Sequence, residues 1–507
     1  MESRPPFENQ LILDILKEYR TIWALGHAQA LMGWDSETYM PREGVEERAV
    51  ARAELSVLQR SLLLKPSLVE KVEKAQAVEG LNEYEAGVVR VLARNIDRLR
   101  KIPEKLLYEK VKVSQEAVHV WVEAKKAGDF QRFKPYLEKI VELTRETAER
   151  LGYEEHPYDA LLDIYEEGLR TRDVDALFQG LIPGLKRILD KVLAEGYYPR
   201  QHPLEDLEYE ASAMEAVNRK VLDLLGYPWS RARLDVSPHP FTISLGVRDV
   251  RITTRYEGRD PKRTVYAVIH EYGHALYELQ QDERLLFTPI AGGVSLGVHE
   301  SQSRFWENVV GRSPWFTSTL RRIMGEHIPA VAGVSDEEFY RYVNTVRPSL
   351  IRVDADEVTY NFHIYLRFTL EKQLVAGEIS VGDLPELWDN MMEELLGVRP
   401  KTPSEGVLQD IHWSHGSIGY FPTYTIGTVT AARIGEVLEA EVAPLSELIA
   451  GGRLGEIREF LRDRIHRWGS TLPPKELLAR SLSWTLSPEP LLGYLERKYL
   501  HRYGQES

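Results

Sequence analysis

Val268-Ile269-His270-Glu271-Tyr272-Gly273-His274-Ala275-Leu276 is the stretch from which the rest of the chain can be read. Asp260-Pro261 upstream reads as an N-cap followed by proline in the first turn, where a missing N–H costs nothing. Val265, Val268, Ile269, Tyr272, Leu276 and Leu279 then recur at three- and four-residue steps, which predicts a helix with one apolar stripe. On such a helix His270 and His274 stand one turn apart and can aim two imidazoles at one ion. Glu271 lies about 100° further round the axis, too far off for a comfortable third ligand yet near enough to reach water beside the ion. A metalloprotease divides the work in this way between two imidazoles and a proton-accepting carboxylate. An ordinary solvated helix face is the competing reading, and Gly273 weighs against it. Glycine inside a helix costs about 1 kcal/mol against alanine, so close packing or substrate approach is expected to require bare backbone there.

A catalytic metal site needs a third protein ligand. Gly292-Gly293 break the chain, and a second apolar-periodic segment follows, Val294-Ser295-Leu296-Gly297-Val298-His299-Glu300-Ser301-Gln302-Ser303-Arg304-Phe305-Trp306-Glu307. Glu300 lies 26 residues past His274, which leaves room for a loop and a helix packed back alongside the first. Spacing therefore favours Glu300, with two competitors. Glu307 can instead pair with Arg304, and His299 can ligate or hydrogen-bond behind the ligands.

Composition narrows the alternatives. The 507 residues are 43% hydrophobic and 28% charged, a globular profile with material for a large core. No run approaches the eighteen or so apolar residues that a membrane span requires. Met1-Glu2-Ser3-Arg4-Pro5-Pro6 leads straight into a polar helix without a signal-peptide core, so a cytoplasmic protein is expected. With no cysteine, disulfides and thiolate ligands are excluded, and any metal must sit on histidine and carboxylate. A formal net charge of −14 without a basic stretch argues against nucleic acid as a partner. The lack of cysteine also fits heat adaptation.

The predicted architecture is mainly helical. Helices are expected over about 8–34, 45–78, 82–101, 104–128, 133–151 and 204–225, interrupted by proline and glycine too often for a coiled coil. Just before the His-Glu-x-x-His helix the period changes. Phe241, Ile243, Leu245 and Val247 alternate, as do Val250, Ile252, Thr254 and Tyr256, so one small β-hairpin is expected beside the metal site. Its edge could hold an extended peptide, or it could simply cap the core. Ser335-x-x-Glu338 is a capping box for a helix through Val346, Asp383 with Glu386 caps a helix ending at Gly397, and another long helix ends near Gly377. The stretch from Gly406 to Gly416, and Gly419 to Tyr424 after it, is polar, aromatic and aperiodic, the kind of long irregular segment that is usually functional. From Val429 onward the chain reads as helical scaffold. We treat residues 1–507 as a single domain, with a helical part over about 1–230, a metal- and substrate-binding part over about 231–428 and C-terminal helices over about 429–507.

Five blocks, in order, resemble the thermostable metallocarboxypeptidases of the M32 peptidase family. They are His239-Pro240-Phe241, His270-Glu271-Tyr272-Gly273-His274, His299-Glu300-Ser301-Gln302, Ile351-Arg352-Val353-Asp354-Ala355-Asp356 and Gly406-Val407-Leu408-Gln409-Asp410-Ile411-His412-Trp413. The resemblance implies a large two-lobed helical peptidase with a deep central groove, and a broad-specificity carboxypeptidase acting on peptides with a free C-terminus. It implies His270, His274 and Glu300 as metal ligands, Glu271 as general base and Arg352 as partner of the substrate carboxylate. His412 and Tyr424 would assist binding or stabilise the transition state. Zn2+ is the implied metal, replaceable by Co2+, and a homodimer the implied assembly. His239 binds substrate or fixes a loop, and Asp354 and Asp356 orient a ligand or Arg352. The alternatives are a helical zinc oligopeptidase or dipeptidyl carboxypeptidase, and an idle peptide-binding protein. An intact Glu271 argues against the last, because a structural site needs no base.

Overall fold

The computed structural model describes residues 6–504. The expectation drawn from the first few residues falls largely outside that range. Among the described residues helices predominate and are accompanied by one three-stranded sheet, and no helix is long and apolar enough to cross a membrane.

Two compact units are formed, each from three separate stretches of chain. The first takes Met1–Arg100, Pro203–Val343 and Ile434–Thr485. Its N-terminal helix, Gln10–Thr38, begins at Asn9, whose side chain accepts from the amides of Leu11 and Ile12. Ile12, Ile15 and Ile22 on one face of that helix meet Leu68, Val69 and Val72 and then Val88, Leu92 and Ile96, all buried, with Leu285 and Ile290 closing the cluster. The 45–78 segment is two helices, Val45–Leu63 and Pro66–Gln76, because Pro66 can open a helix but not continue one.

The sheet lies in the same unit. Strand β1 (Ala232–Val236) runs parallel to β3 (Asp249–Thr254), and β2 (Thr242–Gly246) antiparallel to it, in the order β1-β3-β2. The expected hairpin is β2–β3. The sequence reading missed β1, since its polar Asp235 points inward while Val236 stands out to solvent, which breaks the alternation that marks a strand. Asp235 can be buried because Arg233 and the Tyr39 hydroxyl both donate to it.

The helix Pro261–Leu279 packs on β3 and β2 and carries the His-Glu-x-x-His stretch. Asp260 holds the N-cap position without capping. Its φ is 53°, and its carboxylate accepts from the Tyr342 hydroxyl at 2.6 Å instead. The next helix, Leu296–Arg304, is capped by Ser295, whose hydroxyl accepts from Val298 N–H, and it lies across the first at Gly273. A Cβ there would stand 2.5 Å from the Gln302 carbonyl oxygen and 2.6 Å from Ser303 Cα. The bare backbone at Gly273 therefore serves helix-to-helix approach. Beyond Arg304 the helix widens into a π-turn, Phe305–Val310, an irregularity common at functional sites.

The second unit takes Lys101–His202, Asn344–Arg433 and Leu486–Ser507. Its centre is the helix Tyr360–Ala376, buried on almost every side. Helices Pro157–Tyr165 and Thr171–Glu195, which the sequence reading did not assign, belong to the same unit. The segment from about 400 to 421 is irregular as expected, but helix restarts at Pro422, so Tyr424 sits in a first helical turn and not in a loop. The fully buried Glu371 ties this segment down, accepting from the Trp413 indole at 2.7 Å, Gly419 N–H at 2.9 Å and the Tyr158 hydroxyl at 2.6 Å.

Gly273→Ala forces a methyl group into backbone that has no side chain to move aside. Overpacking of this kind costs about 1–3 kcal/mol. The thermal midpoint of the variant, measured without added metal, is expected to fall by several degrees. A midpoint equal to wild type contradicts the contact.

Candidate metal centre

Nε2 of His270 and Nε2 of His274 lie 3.6 and 3.4 Å from Oε2 of Glu300, and one donor atom from each of the three residues falls within 4.8 Å of the others. The i, i+4 spacing supplies the two imidazoles from one helix, and the close approach at Gly273 brings the carboxylate from the next. The three donors could hold a metal ion.

The other polar atoms of these side chains are already engaged, which fixes their orientation. Glu300 Oε1 accepts from Arg304 Nε at 2.7 Å, so Oε2 is the oxygen that faces the histidines. His270 Nδ1 lies 2.9 Å from Glu307 Oε2, and His274 Nδ1 lies 2.8 Å from His299 Nδ1. Glu307, brought round by the π-turn, also pairs with Arg312 at 3.1 Å. Both competitors for the third-ligand position thus stand behind the histidines instead of among the three converging donors.

Glu271 points to one side of the triad, and Thr242 of β2 donates its hydroxyl to Glu271 Oε2 at 2.6 Å. Sequence offers no local signal for Thr242, because only the sheet brings it there. Burial raises the Glu271 carboxyl above its ordinary range, against the lowering effects of His270 and Thr242. Burial, with His270 and His299 alongside, lowers His274 to about 4 despite Glu300, leaving a neutral imidazole ready to ligate. For Glu300 burial pulls the other way but is outweighed: Arg304 and the two histidines hold it well below the usual carboxylate range. His270 is raised, because Glu300 and Glu307 overcome its burial.

A formal charge count tests whether a cation fits. Glu271, Glu278 and Glu300 are buried around the two histidines, with Glu307 partly buried beside them, and the guanidiniums paired with these carboxylates are Arg304 and Arg312. With all four carboxylates ionised and both imidazoles neutral, as ligation requires, the arginines leave a formal surplus of two negative charges, which one divalent cation would offset. His239 is exposed, and its carbonyl accepts from Ser237.

The second unit gathers Arg352, His412 and Tyr424, together with Asp410, Arg367 and Tyr360, which the sequence reading did not single out as site residues. Asp410 Oδ1 accepts from Arg352 Nε at 3.0 Å and Nη2 at 2.8 Å, while Oδ2 accepts from Arg367 Nε at 2.7 Å. One partly buried carboxylate thus serves two buried guanidiniums, and against its desolvation they hold it far below the usual range. Arg352 Nη1 donates to the Tyr360 hydroxyl at 3.0 Å, so two of its five N–H groups are left for a ligand. Gln409 accepts from the Arg352 amide at 2.9 Å. His412 is lowered to about 4 by burial, with both arginines adding to the effect, and its Nε2 lies 3.4 Å from the Tyr424 hydroxyl. Asp356 caps its own chain, accepting from the amides of Arg347, Val358 and Thr359.

Comparison with known proteins gives consistent findings. The family described as carboxypeptidase Taq (M32) metallopeptidase matches residues 14–499. Thermostable carboxypeptidase 1 of Pyrococcus furiosus is 54% identical over 495 residues, 97% of this chain and 99% of that protein. Thermostable carboxypeptidase 1 of Thermus thermophilus is 41% identical over 516 residues, 99% of this chain and 100% of that one. The solved structure of a Pyrococcus furiosus carboxypeptidase superposes with a TM-score of 0.96, covering 97% of this chain and 99% of that one.

The geometry sets Glu271 apart from the three converging donors. His270→Ala, His274→Ala and Glu300→Ala are each expected to lose stoichiometric metal, whereas Glu271→Gln is expected to keep it and lose about 10²–10⁴-fold in rate. Metal analysis of the purified variants checks this. A metal-free Glu271→Gln protein or a fully loaded Glu300→Ala protein contradicts the assignment.

Proposed function

The chain belongs to the M32 carboxypeptidase Taq family of metallopeptidases and is a metallocarboxypeptidase, and from that premise we propose how its residues divide the work. The observation that carries the proposal is the convergence of His270, His274 and Glu300, with their remaining polar atoms already engaged. These three hold the metal. Zn2+ is the proposed ion and Co2+ a workable substitute, because two imidazoles and a carboxylate suit both and leave a coordination position open. When bound, the ion supplies Lewis acidity toward water and the scissile carbonyl.

The remaining steps belong to side chains. Glu271 accepts the proton of the attacking water and returns it to the departing amine. Its raised carboxyl brings its basicity closer to the operating pH. Thr242 holds the carboxylate in place through Oε2. His412 and Tyr424 donate to the oxygen that gains charge in the transition state. Arg352 takes the terminal carboxylate of the peptide with its two remaining N–H groups, the arrangement in which a planar guanidinium meets a carboxylate best. His239, exposed ahead of β2, is assigned to contacts with the peptide. Broad specificity, a homodimer, a cytoplasmic location and heat stability complete the proposal. Heat stability is supported by the names of the relatives from Pyrococcus furiosus and Thermus thermophilus.

Peptides of defined sequence test this function. Metal-loaded protein is expected to shorten a free-acid peptide one residue at a time from its C-terminus, as read by mass spectrometry. The C-terminal amide of the same peptide, which lacks the charge, is expected to be cleaved about ten- to a hundredfold less efficiently, since charge-assisted contacts contribute about 1.5–3 kcal/mol. Arg352→Ala is expected to abolish that discrimination, and Arg352→Lys, which keeps charge but not the planar fork, to retain part of it. Equal cleavage of acid and amide by wild type, or undiminished discrimination by Arg352→Ala, contradicts the role of Arg352.

A further inference from the structure

Behind His274 stands a pair of polar groups, a partly buried His299 and a buried Glu278, that the proposed reaction does not use. His274 Nδ1 lies 2.8 Å from His299 Nδ1, and His299 Nε2 lies 2.9 Å from Glu278 Oε1. Glu278 comes from the same helix as His274, one turn further on. The same carboxylate accepts from Gly293 N–H at 2.9 Å and from Gln281 Nε2 at 3.0 Å. Among the described residues its one ion-pair partner is His299, with no arginine or lysine beside it. Gly293 lies directly against the His299 ring: a Cβ there would stand 2.5 Å from His299 Cδ2. The Tyr277 ring packs on another side, with centroids 5.0 Å apart. His299 is therefore clamped by a carboxylate, a glycine turn and an aromatic ring.

Two imidazole nitrogens in hydrogen-bond contact share one proton, and ligation through His274 Nε2 would fix which nitrogen keeps it. A neutral His274 that ligates through Nε2 carries its proton on Nδ1. The 2.8 Å contact is then a donation from His274 to His299, whose Nδ1 must be bare. The proton of His299 is left on Nε2, where Glu278 accepts it. The opposite polarity puts a proton on the His274 nitrogen that faces Glu300 and leaves it no lone pair for an ion. The Gly292-Gly293 turn has further holds, since Gln281 Oε1 accepts from Gly292 N–H at 2.7 Å and Ser470 donates to the carbonyl of Gly292 at 3.0 Å.

We propose that His299 and Glu278 are positioning residues that hold His274 in its ligating tautomer, a one-way hydrogen-bond relay running from His274 through His299 to Glu278 and anchored on the Gly292-Gly293 turn. The relay rests on His274 being a ligand through Nε2. His270 is held differently, directly by Glu307, so the two histidines are steadied by separate devices and each can fail alone. The His274 arm is the one that depends on the glycine turn.

The test measures metal affinity and tautomer instead of turnover. Loss of an outer partner of a metal ligand typically weakens binding about 10–100-fold. Chelator competition with Zn2+ is expected to place His299→Phe in that range and Glu278→Gln at a smaller loss, because the amide oxygen can still accept from His299 without the charge. In Zn2+-loaded wild type with ¹⁵N-labelled histidine, long-range ¹H–¹⁵N spectra are expected to show His299 neutral and protonated on Nε2. The Nδ1–H tautomer or an imidazolium at His299 overturns the relay, as does an affinity of both variants within twofold of wild type. His274→Ala serves as the reference. If it binds Zn2+ as tightly as wild type, the metal reading itself fails; if it does not, while His299→Phe and Glu278→Gln bind normally, the relay alone fails.

Discussion

Burying carboxylates without compensating charge costs several kcal/mol for each ion, and the centre of the first unit is built around that constraint. Glu271, Glu278 and Glu300 lie buried about two histidines, Glu307 is partly buried beside them, and two guanidiniums, Arg304 and Arg312, are paired with these carboxylates. The helices that carry these groups come together because Gly273 has no side chain. The cluster is therefore held by packing in a state whose electrostatics favour a divalent cation. Each partner also takes a defined atom. Arg304 takes one oxygen of Glu300 and leaves the other toward the histidines, while Glu307 and His299 take the two Nδ1 positions.

The second unit solves the converse problem. Arg352 and Arg367 are both buried, and a single carboxylate, Asp410, divides its two oxygens between them. The formal surplus there is one positive charge, the complement of a peptide's terminal carboxylate. His412, kept neutral by burial and by the neighbouring arginines, adds a donor without adding charge. Glu371 holds the irregular segment through two donors, the Trp413 indole and Gly419 N–H, and is itself anchored by the Tyr158 hydroxyl from a neighbouring helix. A site that must hold side chains to a fraction of an ångström benefits from this kind of support.

Much of this was legible in the amino-acid sequence, and the exceptions have physical causes. The His270/His274 spacing, the 26-residue step to Glu300 and the hairpin ahead of them are local patterns, and local patterns survive folding. Glu278 was within reach, since it repeats the four-residue step from His274, but a glutamate on a helix is ordinarily a solvated face. Thr242, Arg367 and Asp410 act through partners 29 to 58 residues away, so their roles depend on tertiary contacts that no periodicity records. Strand β1 was hidden by an inward-facing aspartate, and the extra helical turn under Tyr424 by a proline that opens a helix where the sequence suggested a loop.

The central claim is that one ion is held by two imidazole nitrogens and one carboxylate oxygen, with Glu271 close by but outside its coordination sphere. Anomalous diffraction at the zinc edge, on crystals grown with Zn2+, examines it directly. The account predicts a single strong peak within bonding distance of His270 Nε2, His274 Nε2 and Glu300, with the Glu271 carboxylate still bound to the Thr242 hydroxyl. A peak ligated by Glu271, Glu307 or His299, or one centred away from the helix pair, would contradict it.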